Sequence, residues 1–104
     1  MEVVERFESM LAEGADSPSL RFALGAEYLK IKNMALAIKH LEKALAQDPE
    51  FSAAWKLLAR SQEKIGLKED AIYSYSQGIK VATENGDIQA TREMKVFLSR
   101  LQKA

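Results

Sequence analysis

Residues 21–49 read RFALGAEYLKIKNMALAIKHLEKALAQDP, and residues 55–83 read WKLLARSQEKIGLKEDAIYSYSQGIKVAT. Laid over one another, 34 positions apart, they set Leu24 on Leu58, Lys30 on Lys64, Ile31 on Ile65, Ala37 on Ala71 and Ile38 on Ile72. Conservative pairs lie between: Gly25 on Ala59, Leu41 on Tyr75, Ala44 on Gly78 and Leu45 on Ile79. The matches fall on apolar and small positions with helical spacing, and no stretch alternates as a strand would. A fixed period of this size marks a chain that stacks one supersecondary unit on the next.

Local signals set the helix limits. The first helix carries Val3, Val4, Phe7, Met10 and Leu11 on one stripe and ends at Gly14. Ser17 is placed to cap a second helix from Pro18 to Ile31, and proline suits the first helical position because its missing N–H would be unpaired there. The third helix runs from Met34 to Ala46, with Ala37, Ile38, Leu41, Ala44 and Leu45 inward, and is stopped by Pro49. The fourth spans Ser52 to Ile65 before Gly66, and the fifth spans Lys68 to Glu84 before Asn85-Gly86. Asp87 caps the sixth, whose stripe is Ile88, Thr91, Met94, Phe97, Leu98 and Leu101. Loops this short make consecutive helices antiparallel neighbours.

The period also reaches the ends. Moved back by 34, Ala37, Leu41, Ala44 and Leu45 land on Val3, Phe7, Met10 and Leu11, so the first helix stands as the second half of a preceding repeat. The sixth stands as the first half of a following one, its phase displaced by the longer fifth helix. The expected organisation is one all-α domain: a half-repeat over 1–14, repeats over 18–49 and 52–84, and a capping helix over 87–103. End helices cover the apolar face that each repeat otherwise exposes, and the chain reads as a complete small solenoid.

Residue by residue, this pattern resembles the tetratricopeptide repeat family. The first repeat has Leu24-Gly25, Tyr28, Ala37, Leu41, Ala44 and Pro49 where that family has its hallmark residues, with Arg21 in place of the family's tryptophan. The second has Trp55, Leu58-Ala59, Ala71, Tyr75 and Gly78, with Gln62 in place of tyrosine and Thr83 in place of proline. The resemblance implies a right-handed superhelix in which small residues permit close helix contact and large ones, Trp55 among them, are buried between. It also implies a protein-interaction module whose first helices line a concave groove. Carried onto this chain, the groove positions are Ser19, Phe22, Ala26, Leu29 and Lys30, then Ala53, Lys56, Arg60, Glu63 and Lys64. A family subtype clamps a peptide's terminal carboxylate; its positions here would be Phe22, Ala26, Leu57, Asp87 and Thr91, and none matches.

Lys56, Arg60 and Lys64 recur every fourth residue and so share one face of the fourth helix. They point to a mixed basic and apolar groove for a partner segment of acidic character. Phe22, Leu29, Val96 and Leu98 are expected to leave apolar surface exposed, as interfaces do.

Composition narrows the function classes. The chain has 104 residues, with 15 basic and 15 acidic side chains balancing to zero net charge. Nucleic-acid binding draws on a basic excess, which is absent. There is no cysteine, which fits the cytoplasm and removes thiolate metal sites. The start is acidic rather than basic-then-apolar, so no export signal is read, and no run approaches a membrane span. The single histidine, His40, lies among Lys39, Glu42 and Lys43 and is expected at the surface. The glycines are too dispersed for a phosphate loop. The reading is therefore a non-enzymatic module with no cofactor and a protein or peptide partner. A self-associating protein is the alternative, a homodimer through an acidic first helix (Glu2, Glu5, Glu8, Glu13) and a basic last one (Arg92, Lys95, Arg100, Lys103).

Overall fold

The computed structural model describes residues 2–104; Met1, where the expected first unit begins, lies outside the described residues. The described residues form six helices: α1 (Glu2–Ala12), α2 (Pro18–Lys30), α3 (Met34–Gln47), α4 (Ser52–Lys64), α5 (Lys68–Glu84) and α6 (Ile88–Lys103). Among the described residues there is no strand, and no helix is long and apolar enough to cross a membrane.

The starts of α2, α3 and α6 and the ends of α2, α4 and α5 have local causes. Ser17 accepts a hydrogen bond from the Leu20 N–H at 3.1 Å, Asn33 from Leu36 at 3.2 Å and Asp87 from Ala90 at 3.1 Å. These bonds satisfy amides that a helix N-terminus leaves unpaired. The C-termini of α2, α4 and α5 close alike: Asn33 N–H reaches back to the Tyr28 carbonyl, Leu67 to Gln62 and Asp87 to Ala82, at 2.8–2.9 Å. The closure needs a left-handed residue just before it. Gly66 and Gly86 supply it, but in the first repeat the position is Lys32, at φ 65°.

Consecutive helices pack as antiparallel pairs. In addition α2 approaches α4 and α4 approaches α6 backbone to backbone, whereas among the described residues the backbones of α1, α3 and α5 stay apart. A stack whose one layer is in contact and whose other is splayed curves toward the contacting layer, so α2, α4 and α6 form the inner face. Three clusters run end to end through the stack. Val4, Leu20, Leu24, Tyr28 and Ala37 form the first; Leu41, Ala44, Leu45, Ala54 and Leu58 the second; Ala59, Ala71, Tyr75, Ala82, Met94 and Leu101 the third.

The small residues of the period have a geometric role. A Cβ added to Gly25 would stand 2.5 Å from Leu41 Cγ; one added to Gly78 would stand 2.5 Å from Met94 Sδ and 2.9 Å from Trp55 Cβ. The helices are therefore closer at these points than alanine permits. Gly78 costs α5 helix propensity, and the close crossing of α4 and α6 over it offsets that cost.

Two burial expectations change. Trp55 is half-buried, not enclosed: its indole N–H donates to the Pro49 carbonyl at 2.9 Å and its ring meets exposed Tyr73 edge-on, centroids 6.3 Å apart. The indole keeps its polar edge at the chain turn, so the ring cannot sink into the stack. Phe22, Leu29 and Leu98 are partly covered by neighbouring clusters, Phe22 lying 4.8 Å from the Phe51 ring. Val96 is exposed. α6 begins two positions beyond the place the 34-residue period assigns it, because α5 has 17 residues where α3 has 14.

Candidate functional site

The inner face presents the side chains of α2, α4 and α6 that point away from α3 and α5. On α2, Phe22 and Leu29 are drawn into packing, Ala26 is half-buried, and Lys30 is exposed with its Nζ 3.1 Å from Glu27. On α4 the series Lys56, Arg60, Lys64 faces α6. Lys56 Nζ bridges to Glu93 Oε1 at 3.3 Å, and the Arg60 guanidinium lies over the Phe97 ring, 5.1 Å from its centroid. Glu63 Oε1 accepts the Tyr75 hydroxyl at 2.9 Å. Burial and the Glu63 carboxylate both hold the Tyr75 hydroxyl in its neutral form, well above the usual phenol range.

The Lys56–Glu93 bridge stands between two clefts along α4 and α6. One, of about 200 Å³, is lined by Ser52, Ala53, Lys56, Asp87, Ala90 and Glu93. The other, of about 280 Å³, is lined by Arg60, Glu63, Lys64, Tyr75, Phe97 and Arg100. Sequence reasoning reached the α4 side of both and missed Glu93, Phe97 and Arg100 on α6, because the displaced phase of α6 hides which of its positions share a face with α4. A third cleft, of about 410 Å³, opens on the other side between α3 and α5, around Leu45, Trp55, Leu58 and Tyr73.

A polar network ties α1 to the first repeat. His40 is not a surface residue: it is 3% exposed. Its Nδ1 lies 3.1 Å from Arg21 Nη1 and its Nε2 3.5 Å from Glu8 Oε2. Guanidinium can only donate, so Nδ1 accepts and Nε2 carries the hydrogen toward Glu8; the ring is neutral. Burial pushes its pKa down, Glu8 opposes this, and Arg21 and Lys39 add to it. Glu8 also accepts the Tyr28 hydroxyl, which burial and then that carboxylate push up to about 12.

Arg21, standing where the family has tryptophan, makes two hydrogen bonds to Asp16 at 2.9 and 2.8 Å. Gln47 donates a third to Asp16 at 2.8 Å. The bonds from Arg21 and Gln47 hold the Asp16 carboxyl well below the usual carboxylate range. Arginine therefore fills the first repeat's site by pairing, as Trp55 fills the second's by its ring. Each member has a partner on a neighbouring helix or loop, so the network ties α1, the first loop and the first repeat together.

Comparisons agree with this architecture. The profile described as tetratricopeptide repeat matches residues 2–61 and again 28–93. A TPR repeat-containing protein of Pseudomonas aeruginosa is 41% identical over 98% of this chain and 97% of its own length. A Bordetella parapertussis protein of known solution structure is 39% identical, with a TM-score of 0.85, covering 97% of this chain and 88% of that one. The crystal structure of a tetratricopeptide repeat domain protein from Salinibacter ruber is 30% identical, with a TM-score of 0.79, covering 85% of this chain and 98% of that one. With two repeats in register, six helices in the required order and relatives along its whole length, this chain belongs to the tetratricopeptide repeat family.

Proposed function

We propose that the chain is a cytoplasmic, non-enzymatic interaction scaffold that receives a peptide or helical segment of a partner protein on its inner face. Proteins of this fold typically serve as interaction scaffolds. The observation that carries the reading is the row Lys56, Arg60, Lys64 on α4, set opposite α6 with a cleft on each side of the Lys56–Glu93 bridge. In this reading the groove extends to Phe22, Ala26, Leu29, Lys30 and Glu63, which would add apolar and charged groups to the row.

The test is affinity capture from cell extract by the wild type and by the Lys56→Glu, Arg60→Glu double variant, with circular dichroism to establish that both are folded. Loss of specific partners from the variant supports the groove. An unchanged partner set overturns it.

One observation favours a second reading. Val3 and Met10 are exposed on α1 beside Glu2, Glu5 and Glu13, and Val96 is exposed on α6 beside Arg92 and Lys95. Two copies could then join α6 to α1 by complementary charge. Light scattering across a concentration series separates the readings, since a strict monomer at high concentration rules out self-association.

A further inference from the structure

We propose that the cleft at the C-terminal ends of α4 and α6 anchors side-chain carboxylates of an acidic partner segment, with an apolar residue of that segment seated against Phe97. The proposal rests on the inner face being the binding face, and names the chemistry of what lies there.

The cleft collects three cations from two helices: Arg60 and Lys64, one turn apart on α4, and Arg100 on α6. Among the described residues none of the three is within ion-pair distance of a carboxylate, as Lys56 on the same face is, and what sets them apart from other unpaired surface cations is that they converge on one cleft. Glu63 is the one acid lining the cleft, and the Tyr75 hydroxyl is bound to it. The site therefore keeps an excess of positive charge within a chain of zero net charge.

Cations near a helix C-terminus also favour the helix dipole. That accounts for Lys64 and Arg100, which lie in or near the last turns of α4 and α6. It does not account for Arg60, which lies a turn further in with its guanidinium held over Phe97. An arginine stacked on a ring still presents its edge N–H groups, a planar fork matched to carboxylate. The Phe97 ring, with Arg60 over it and the Tyr75 ring 5.9 Å away, is partly buried against the third cluster, and its exposed edge is the apolar surface left to the residue that follows.

The neighbouring cleft has the opposite character, with Asp87 and Glu93 beside Lys56. Charge thus runs from acidic to basic along the parallel helices α4 and α6, so an occupant whose acidic residues cluster at one end is held in one direction. Three cations spread over two helices suit several carboxylates along one segment, which is the arrangement acidic side chains provide.

The test is residue-level NMR titration of the full chain with a ten-residue peptide of alternating glutamate and phenylalanine, amidated at its C-terminus. Shifts centred on Arg60, Lys64, Phe97 and Arg100 are expected. Binding should weaken as salt rises, fall about tenfold or more in the folded Arg60→Gln, Arg100→Gln variant, and be absent for the lysine-for-glutamate peptide. Equal affinity of the amidated and free-acid peptides is expected; clear preference for the free acid overturns the assignment to side chains. Shifts centred on Phe22 and Ala26 overturn this subsite while leaving the groove reading in place. Shifts centred on Trp55 and Tyr73, or none, overturn the subsite and count against the groove for this class of ligand.

Discussion

The phenol ring of Tyr28 lies flat against the imidazole of His40, with centroids 5.5 Å apart and planes 4° from parallel. One period later the same two positions hold Gln62 and Ser74, and the Ser74 hydroxyl donates to Gln62 Oε1 at 2.7 Å. Both pairs close the gap between the two helices of a repeat, one by ring stacking and the other by a buried hydrogen bond. The pair members are matched to one another, so neither should exchange alone.

Replacing Ser74 with His in the second repeat is expected to cost about 1–3 kcal/mol through overpacking. Changing Gln62 to Tyr in the same chain should recover part of that loss, with a coupling of roughly 0.5–3 kcal/mol. Urea denaturation of the wild type, both single variants and the double variant measures it. Additive losses would show the two positions to be independent.

Lys32 holds a left-handed backbone where the second repeat has Gly66. Its side chain is exposed, so its removal sacrifices little packing. Lys32→Gly is expected to raise stability by about 0.5–1 kcal/mol, the left-handed strain relieved exceeding the added flexibility of the unfolded chain. The melting temperature reads this directly, and a fall would contradict it.

Gly25 sits in mid-helix, where alanine ordinarily gains about 0.5–1 kcal/mol. Here the new Cβ would meet Leu41 Cγ and Cδ2 at 2.5 and 2.7 Å. Gly25→Ala is therefore expected to destabilise by about 1–3 kcal/mol, against its propensity. Chemical denaturation decides the sign, and a stabilised variant would mean that Leu41 yields at little cost.

Acid should weaken the first repeat in two stages. His40 has a folded-state pKa below its ordinary 6.5, because burial opposes its charge. Below pH 6.5 the unfolded chain takes up a proton that the folded chain resists, so stability declines as pH falls from there toward the depressed value. Asp16, whose carboxyl is held low by Arg21, adds a second decline below its ordinary 3.8. Denaturation midpoints across this range should fall in the wild type, and the upper stage should flatten in His40→Gln. An unchanged slope in that variant would remove His40 from the account.

The fold was legible because its determinants are local or periodic. Ser17, Pro18, Asn85, Gly86 and Asp87 announce helix limits, and the small residues at 25, 37, 44, 59, 71 and 78 announce close crossings. His40 was misread because its sequence neighbours are charged, although its spacing from Ala37, Leu41 and Ala44 is that of one helical stripe. The buried Gln62–Ser74 bond was equally hidden, since polar residues in a core are recognised only once their partners are known. On the inner face, the sequence offered the α4 row but not the α6 residues across from it, for their facing depends on how α5 delivers the chain.

α5 exceeds α3 by three residues, just short of one helical turn. The surplus leaves the crossing at Gly78 intact and changes only where α6 begins, and with it which edge of α6 confronts α4. A repeat protein can in this way acquire a new recognition surface without replacing any residue that lines it. Length in an outer-layer helix becomes a heritable dial on specificity, turned by insertion and deletion and invisible to a comparison of groove residues alone.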